Sequence, residues 1–207
     1  MWRVDIMILY NKEIFQRCFC YRPKYWYKNV ANIPRYFKAI HFLIKNGYDR
    51  YATWETFDWF MKTMSKILTT YRDTRCGTPI VIDNFKDGDK ESTDKNENKW
   101  NEIVDRMIFL LGEMGEDTCQ KKNPYEEESN RIYDEFTEKY GMFGKKLNSQ
   151  EENEKEYITL HTPSELPEYK DTMDKWIAAE YELEKYRNKC KDEFFELFSK
   201  YFYALWD

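Results

Sequence analysis

Val30, Ile33, Phe37, Ile40 and Ile44 follow one another at intervals of three, four, three and four residues. That rhythm lays the five side chains on one stripe of an α-helix, whereas a strand would throw them onto opposite faces. Gly47 comes directly afterwards, where a helix C-terminus favours glycine. A second stripe, Trp54, Phe57, Met61, Met64, Leu68 and Tyr71, predicts a helix that starts near Thr53 with Glu55 in its first turn. It should end before Cys76-Gly77-Thr78-Pro79, since glycine and proline both oppose continuation. A third helix is predicted from about Trp100, with Ile103, Met107, Leu110 and Met114 on one side. A fourth and longer one is predicted from about Ser164, where Glu165 and Pro167 mark an entrance, through Trp176, Ile177 and Leu183 to Phe194, Leu197, Phe198, Tyr201 and Leu205. Four main helices with short or polar connections predict an all-α helical bundle.

Composition agrees with this class. Seven glycines and six prolines in 207 residues leave little material for the tight turns of a sandwich or barrel. Aromatic residues make up 18% of the chain, far above what a disordered polymer carries, and they supply most of the buriable area. Residues 83–99 are polar and are predicted to form a loop. Residues 116–170 read as a less regular insertion, with Ile132, Phe136 and Tyr140 marking a short helix. The whole, 1–207, reads as one helical domain. The apolar run Ile6-Met7-Ile8-Leu9-Tyr10 lies between Asp5 and Lys12, too short for a secretion signal or a membrane span. The expectation is a soluble cytosolic protein with no membrane partner, whose five cysteines (18, 20, 76, 119 and 190) are reduced thiols.

No catalytic constellation stands out. The chain has two histidines, His41 beside the apolar stripe and His161 in a loop, and neither sits in a nucleophile–base motif. Cys18 and Cys20 lack the spacing of a zinc knuckle. There is no Gly-rich phosphate loop following a strand. Asp58 and Asp105 interrupt apolar stripes. Together with Glu113 they are candidates for a metal site or an acid–base pair in a metal-dependent hydrolase; the plainer alternative pairs the aspartates with arginines that fix helix packing. No cofactor is expected.

The charge pattern is more pointed. Residues 21–40 hold five cations, Arg22, Lys24, Lys28, Arg35 and Lys38, interleaved with Tyr21, Tyr25, Trp26, Tyr27, Tyr36 and Phe37, and no acid, in a chain of net charge −5. Cations beside rings suit a nucleotide, through phosphate contacts and base stacking. A long nucleic acid would need many phosphate contacts and is disfavoured by the net charge; a small anion needs only two or three cations and a ring. Phe37 belongs to the core stripe, with Arg35, Lys38 and Lys45 on its flanks, so part of the cluster reads simply as the wet face of an amphipathic helix. Arg22 to Lys28 lies before the helix, held off it by Pro23. The predicted anion-binding surface is Arg22, Lys24, Trp26, Tyr27, Lys28 and Arg35, joined by Arg50 beyond the turn at Gly47.

Two stretches carry a resemblance: Gly47–Arg72, a glycine and an aromatic leading through an acidic-basic loop to Trp54 and Asp58-Trp59, and Trp100–Met114, with Trp100, Ile103, Val104, Asp105, Arg106, Met107 and Ile108. The pair resembles a group of short, uncharacterised proteins encoded by phages and prophages of gut bacteria. The resemblance brings no activity with it. What it implies is a setting: a phage accessory protein acting in the host cytoplasm. With no catalytic motif in view, the expected role is a non-enzymatic one, blocking a host defence by binding a host protein or sequestering a small anionic nucleotide signal. The alternatives are the metal-dependent hydrolase and a virion or assembly component, for which the aromatic C-terminal helix would be an oligomer interface.

Overall fold

The computed structural model of the protein describes residues 14–16, 18–19, 24, 26–148 and 159–205. The fold is an all-α helical bundle, with no strand among the described residues. Its main helices are α1 (Trp26–Asn46), α2 (Thr56–Thr74), α3 (Lys90–Glu113), α4 (Glu126–Tyr140) and α5 (Pro167–Tyr201). Contacts gather into two compact units, Met1–Thr78 and Pro79–Trp206. No described helix is long and apolar enough to cross a membrane.

In the first unit, α1 closes with Gly47 in the left-handed region (φ 80°), its N–H bonded to the Leu43 carbonyl at 2.8 Å. This is the glycine stop that the sequence announces. A 3₁₀ turn, Arg50–Thr53, then leads to α2. Thr53 does not cap α2 as predicted: its hydroxyl donates to the Arg50 carbonyl within the turn, and the helix begins three residues later at Thr56. Trp54 therefore falls outside the helix.

The stripe predicted to be the core face of α1 is not the buried one. Leu43 packs with Ile14 and Cys18, and Tyr36, Ala39, Ile40 and Trp59 close around them. Val30, Ile33, Phe37 and Ile44 remain exposed. The positions 36, 39, 40 and 43 also repeat at helical intervals, so α1 carries two adjoining apolar lines and only one meets a partner.

The second unit is organised by α5, 35 residues long and so about 52 Å from end to end. Both its neighbours run antiparallel to it. Against its C-terminal half lies α3, where Trp100 meets the Tyr201 ring, Arg106 forms a two-pronged ion pair with Glu193 (2.6 and 2.7 Å), and Glu113 meets Tyr186. Against its N-terminal half lies α4, joined through Trp176 to Glu126 and Tyr169 to Glu135, over a cluster of Ile132, Phe136, Tyr169 and Met173.

One expectation for this unit changes. Residues 83–99 are not all loop, because α3 starts at Lys90 and takes in the last ten of them. Its first turns have few apolar residues but bury Ser92 and Asn96, four apart and in line with Trp100. Ser92 Oγ accepts the Lys86 N–H (2.8 Å); Asn96 accepts the Val81 N–H (2.7 Å) and donates to the Pro79 carbonyl (2.9 Å). A polar stripe thus does the work of an apolar one, stitching residues 79–86 to the helix. The segment 116–170 is less regular, as predicted, at 142–148 and 159–165, and the short helix marked by Ile132, Phe136 and Tyr140 is present as the fifteen-residue α4. The turn after α4 depends on Gly144 (φ +65°), where an added Cβ would lie 2.7 Å from His161 Cβ and 2.9 Å from Phe136 Cζ.

Candidate functional site

Along one side of α1 runs an open cavity of about 1040 Å³, within the first unit. Residues 35, 38, 42 and 45 succeed one another at intervals of three, four and three, so Arg35, Lys38, Phe42 and Lys45 share one line of the helix. His41 flanks that line. The turn at Gly47 sends the chain back across the helix end and adds Asp49, Arg50 and Trp54 to the lining. The floor is apolar, from Ile14, Cys18 and Ala39.

The wall's charge is lopsided. Among the described lining residues, Arg35, Lys38, Lys45 and Arg50 are accompanied by one carboxylate, that of Asp49, which is buried. A helix C-terminus carries partial negative charge, and α1 ends beside this cavity. Four cations less the Asp49 carboxylate still outweigh roughly half a charge of dipole, so the described lining favours an anion. Trp54 is 86% exposed, leaving an indole face open to solvent at the lining.

The cavity takes in two of the seven residues named from sequence, Arg35 and Arg50. Lys24, Tyr27 and Lys28 are exposed but do not line it. Arg22 lies outside the described residues, as does the side chain of Trp26. Among the described residues the cavity runs along the C-terminal half of α1. Lys38, His41, Lys45 and Trp54, which were not among the seven, also line it. No family model, no curated protein and no solved structure matches this chain.

The three carboxylates do not form a centre. Asp58 is partly exposed and paired with Lys62 one turn on, at 2.8 Å, so it does not point inward as predicted. Asp105 is exposed, while Glu113 is buried eight residues further along the same helix, about 12 Å away. Among the described residues no group of three His, Cys, Asp or Glu side chains could hold a metal ion. Arg106, one of the partners considered for the aspartates, binds Glu193 instead; the guanidinium holds the Glu193 carboxyl below its usual range.

Glu113 has a structural assignment. Its Oε2 accepts the Tyr186 hydroxyl at 2.8 Å and lies 3.6 Å from the Cys119 thiol, and its Oε1 accepts the Gln120 N–H at 3.1 Å. The bond to Glu113, followed by burial, pushes the Tyr186 hydroxyl well above the ordinary tyrosine value. Burial likewise raises the Cys119 thiol, the reverse of what a reactive nucleophile needs. His161 is equally committed: Nδ1 meets Glu165 at 2.8 Å and Nε2 meets Asn148 at 2.7 Å, tying the segment before α5 to the turn after α4.

Proposed function

We propose that the protein acts by binding, and that its ligand is a small, multiply charged anion of nucleotide type held in the cavity along α1. The observation that carries this reading is the gathering of four cationic side chains with one carboxylate among the described residues of the cavity lining, with an exposed indole on the same lining. Arginine and lysine supply the phosphate contacts, and Trp54 supplies a face for a base. The volume suits a ligand of mononucleotide to dinucleotide size. In the phage setting implied by the resemblance, holding such a signal out of circulation in the host cytoplasm would blunt a defence that depends on it.

The test uses ATP and a cyclic dinucleotide as probes, followed by titration calorimetry and by quenching of tryptophan fluorescence. Arg35→Glu with Arg50→Glu should weaken binding by at least about a hundredfold, because two attractive phosphate contacts become repulsive. Trp54→Ala should cost roughly tenfold, the scale of one stacked base. The helical circular-dichroism signal should not change in either variant. After denaturation the bound probe should be recovered intact. Recovery of a chemically altered probe, at more than one equivalent per protein, would replace sequestration by catalysis.

A further inference from the structure

Of the two apolar lines on α1, one is covered by the first unit's own packing and the other is bare. Val30, Ile33, Phe37 and Ile44 are 55, 42, 64 and 56% exposed. Single exposed apolar side chains are ordinary, but four on one line of one helix form a face that asks for a partner. With Ile40 at its edge, the line keeps the alternating three- and four-residue steps of a coiled-coil seam, the pattern that receives another helix.

Charge selects the partner. Lys28, Arg35, Lys38 and Lys45 all belong to α1, and the helix has no acidic residue. A second copy packed antiparallel on the same seam would bring cations onto cations, and in either direction α1 offers no acidic residue to pair with them, which opposes self-pairing. We infer that α1 is the docking face for an acidic amphipathic helix of a partner protein. The partner's apolar residues seat on Val30, Ile33, Phe37 and Ile44, and its carboxylates meet Lys38 and Lys45 along the edge of the seam. Cationic amphipathic helices also lie on anionic bilayers. On α1 the other edge of the seam runs into the covered residues Tyr36, Ile40 and Leu43, so cations line one side only. A rod-shaped partner needs no more than that, whereas a helix sunk in headgroups is flanked by cations on both sides.

The inference shares Lys38 and Lys45 with the cavity, but its apolar anchors Phe37 and Ile44 do not line it; substituting those two should leave nucleotide binding intact, so the two readings fail separately. The experiment uses the full chain and a labelled synthetic peptide with leucine at the seam positions and glutamate beside them, read by fluorescence anisotropy. A second peptide has lysine for every glutamate. The glutamate peptide should bind, and Phe37→Ser with Ile44→Ser should weaken it by at least about tenfold, the change expected when the anchors of a helix seam are lost. The lysine peptide should not bind. The serine substitutions fall on exposed positions, and unchanged circular dichroism and melting confirm that the fold persists. Glutamate-peptide binding that is absent, or indifferent to the double variant, overturns the inference. So does flotation with phosphatidylserine–phosphatidylcholine vesicles that the double variant abolishes, which would assign the face to a membrane. Self-association in sedimentation velocity that the double variant abolishes would assign it to a second copy.

Discussion

Tyr186 illustrates how much one hydroxyl does in the second unit. It is a partner of the buried Glu113, and that bond joins α3 to α5. Tyr186→Phe keeps the ring and removes the donor, leaving a buried acceptor one bond short. The variant should be less stable at pH 7 by about 1–3 kcal/mol in urea denaturation. The alkaline limb carries the same information. A hydroxyl raised above its ordinary value near 10.0 contributes stability that is complete below that value and drains away as pH climbs through the raised one. Wild type should therefore lose stability steeply above about pH 10, and Tyr186→Phe should lose it less steeply. Cys119, also raised, contributes to the alkaline loss in both proteins.

Elements were legible in the sequence where apolar side chains are what the fold buries. The C-terminus of α1, the end of α2 before Cys76, the short helix around Ile132 and Phe136, and the long α5 all follow from spacing and from glycine or proline stops. The start of α3 was not legible, because Ser92 and Asn96 hold their positions by hydrogen bonds to a loop distant in sequence, and hydrophobic periodicity has no term for that. The face of α1 was misread for a related reason: two stripes of similar quality adjoin, and which one is covered depends on Ile14 and Cys18. That misreading also bears on the cavity. Lys38 and Lys45, read as the solvated flank of the other stripe, line the cavity together with Arg50, which follows the turn at Gly47. The spacing of Arg35, Lys38 and Lys45, followed by that turn, was the available signal for a shared wall. Asn96 offers the test at this scale. Asn96→Ala should leave the Val81 N–H and the Pro79 carbonyl unpartnered, costing about 1–3 kcal/mol. Hydrogen exchange should lose protection at the Val81 amide while the C-terminal half of α3 keeps it.

Across the whole molecule, burial is unevenly shared. Of the eighteen buried hydrophobic residues among those described, thirteen lie beyond residue 79, including Trp100, Phe136 and Phe194, so the second unit holds most of the apolar stabilisation. A fragment spanning 79–207 should fold by itself, with a helical circular-dichroism spectrum and a cooperative thermal transition. A fragment that melts without cooperativity would show that the second unit depends on residues before it.

The antiparallel pairing of α3 with α5 has a consequence for how the protein is made. Arg106 leaves the ribosome 87 residues before Glu193, its partner. At roughly 5–20 residues per second that is a delay on the order of ten seconds. Throughout it, the side of α3 that will carry Trp100, Val104, Met107 and Leu111 into the core has no α5 to close on. The newborn chain therefore passes through a stage in which this apolar surface is open to solvent, and holding chaperones should engage it there. Translation paused between residues 113 and 186 should prolong that engagement, and release should coincide with the emergence of the last turns of α5.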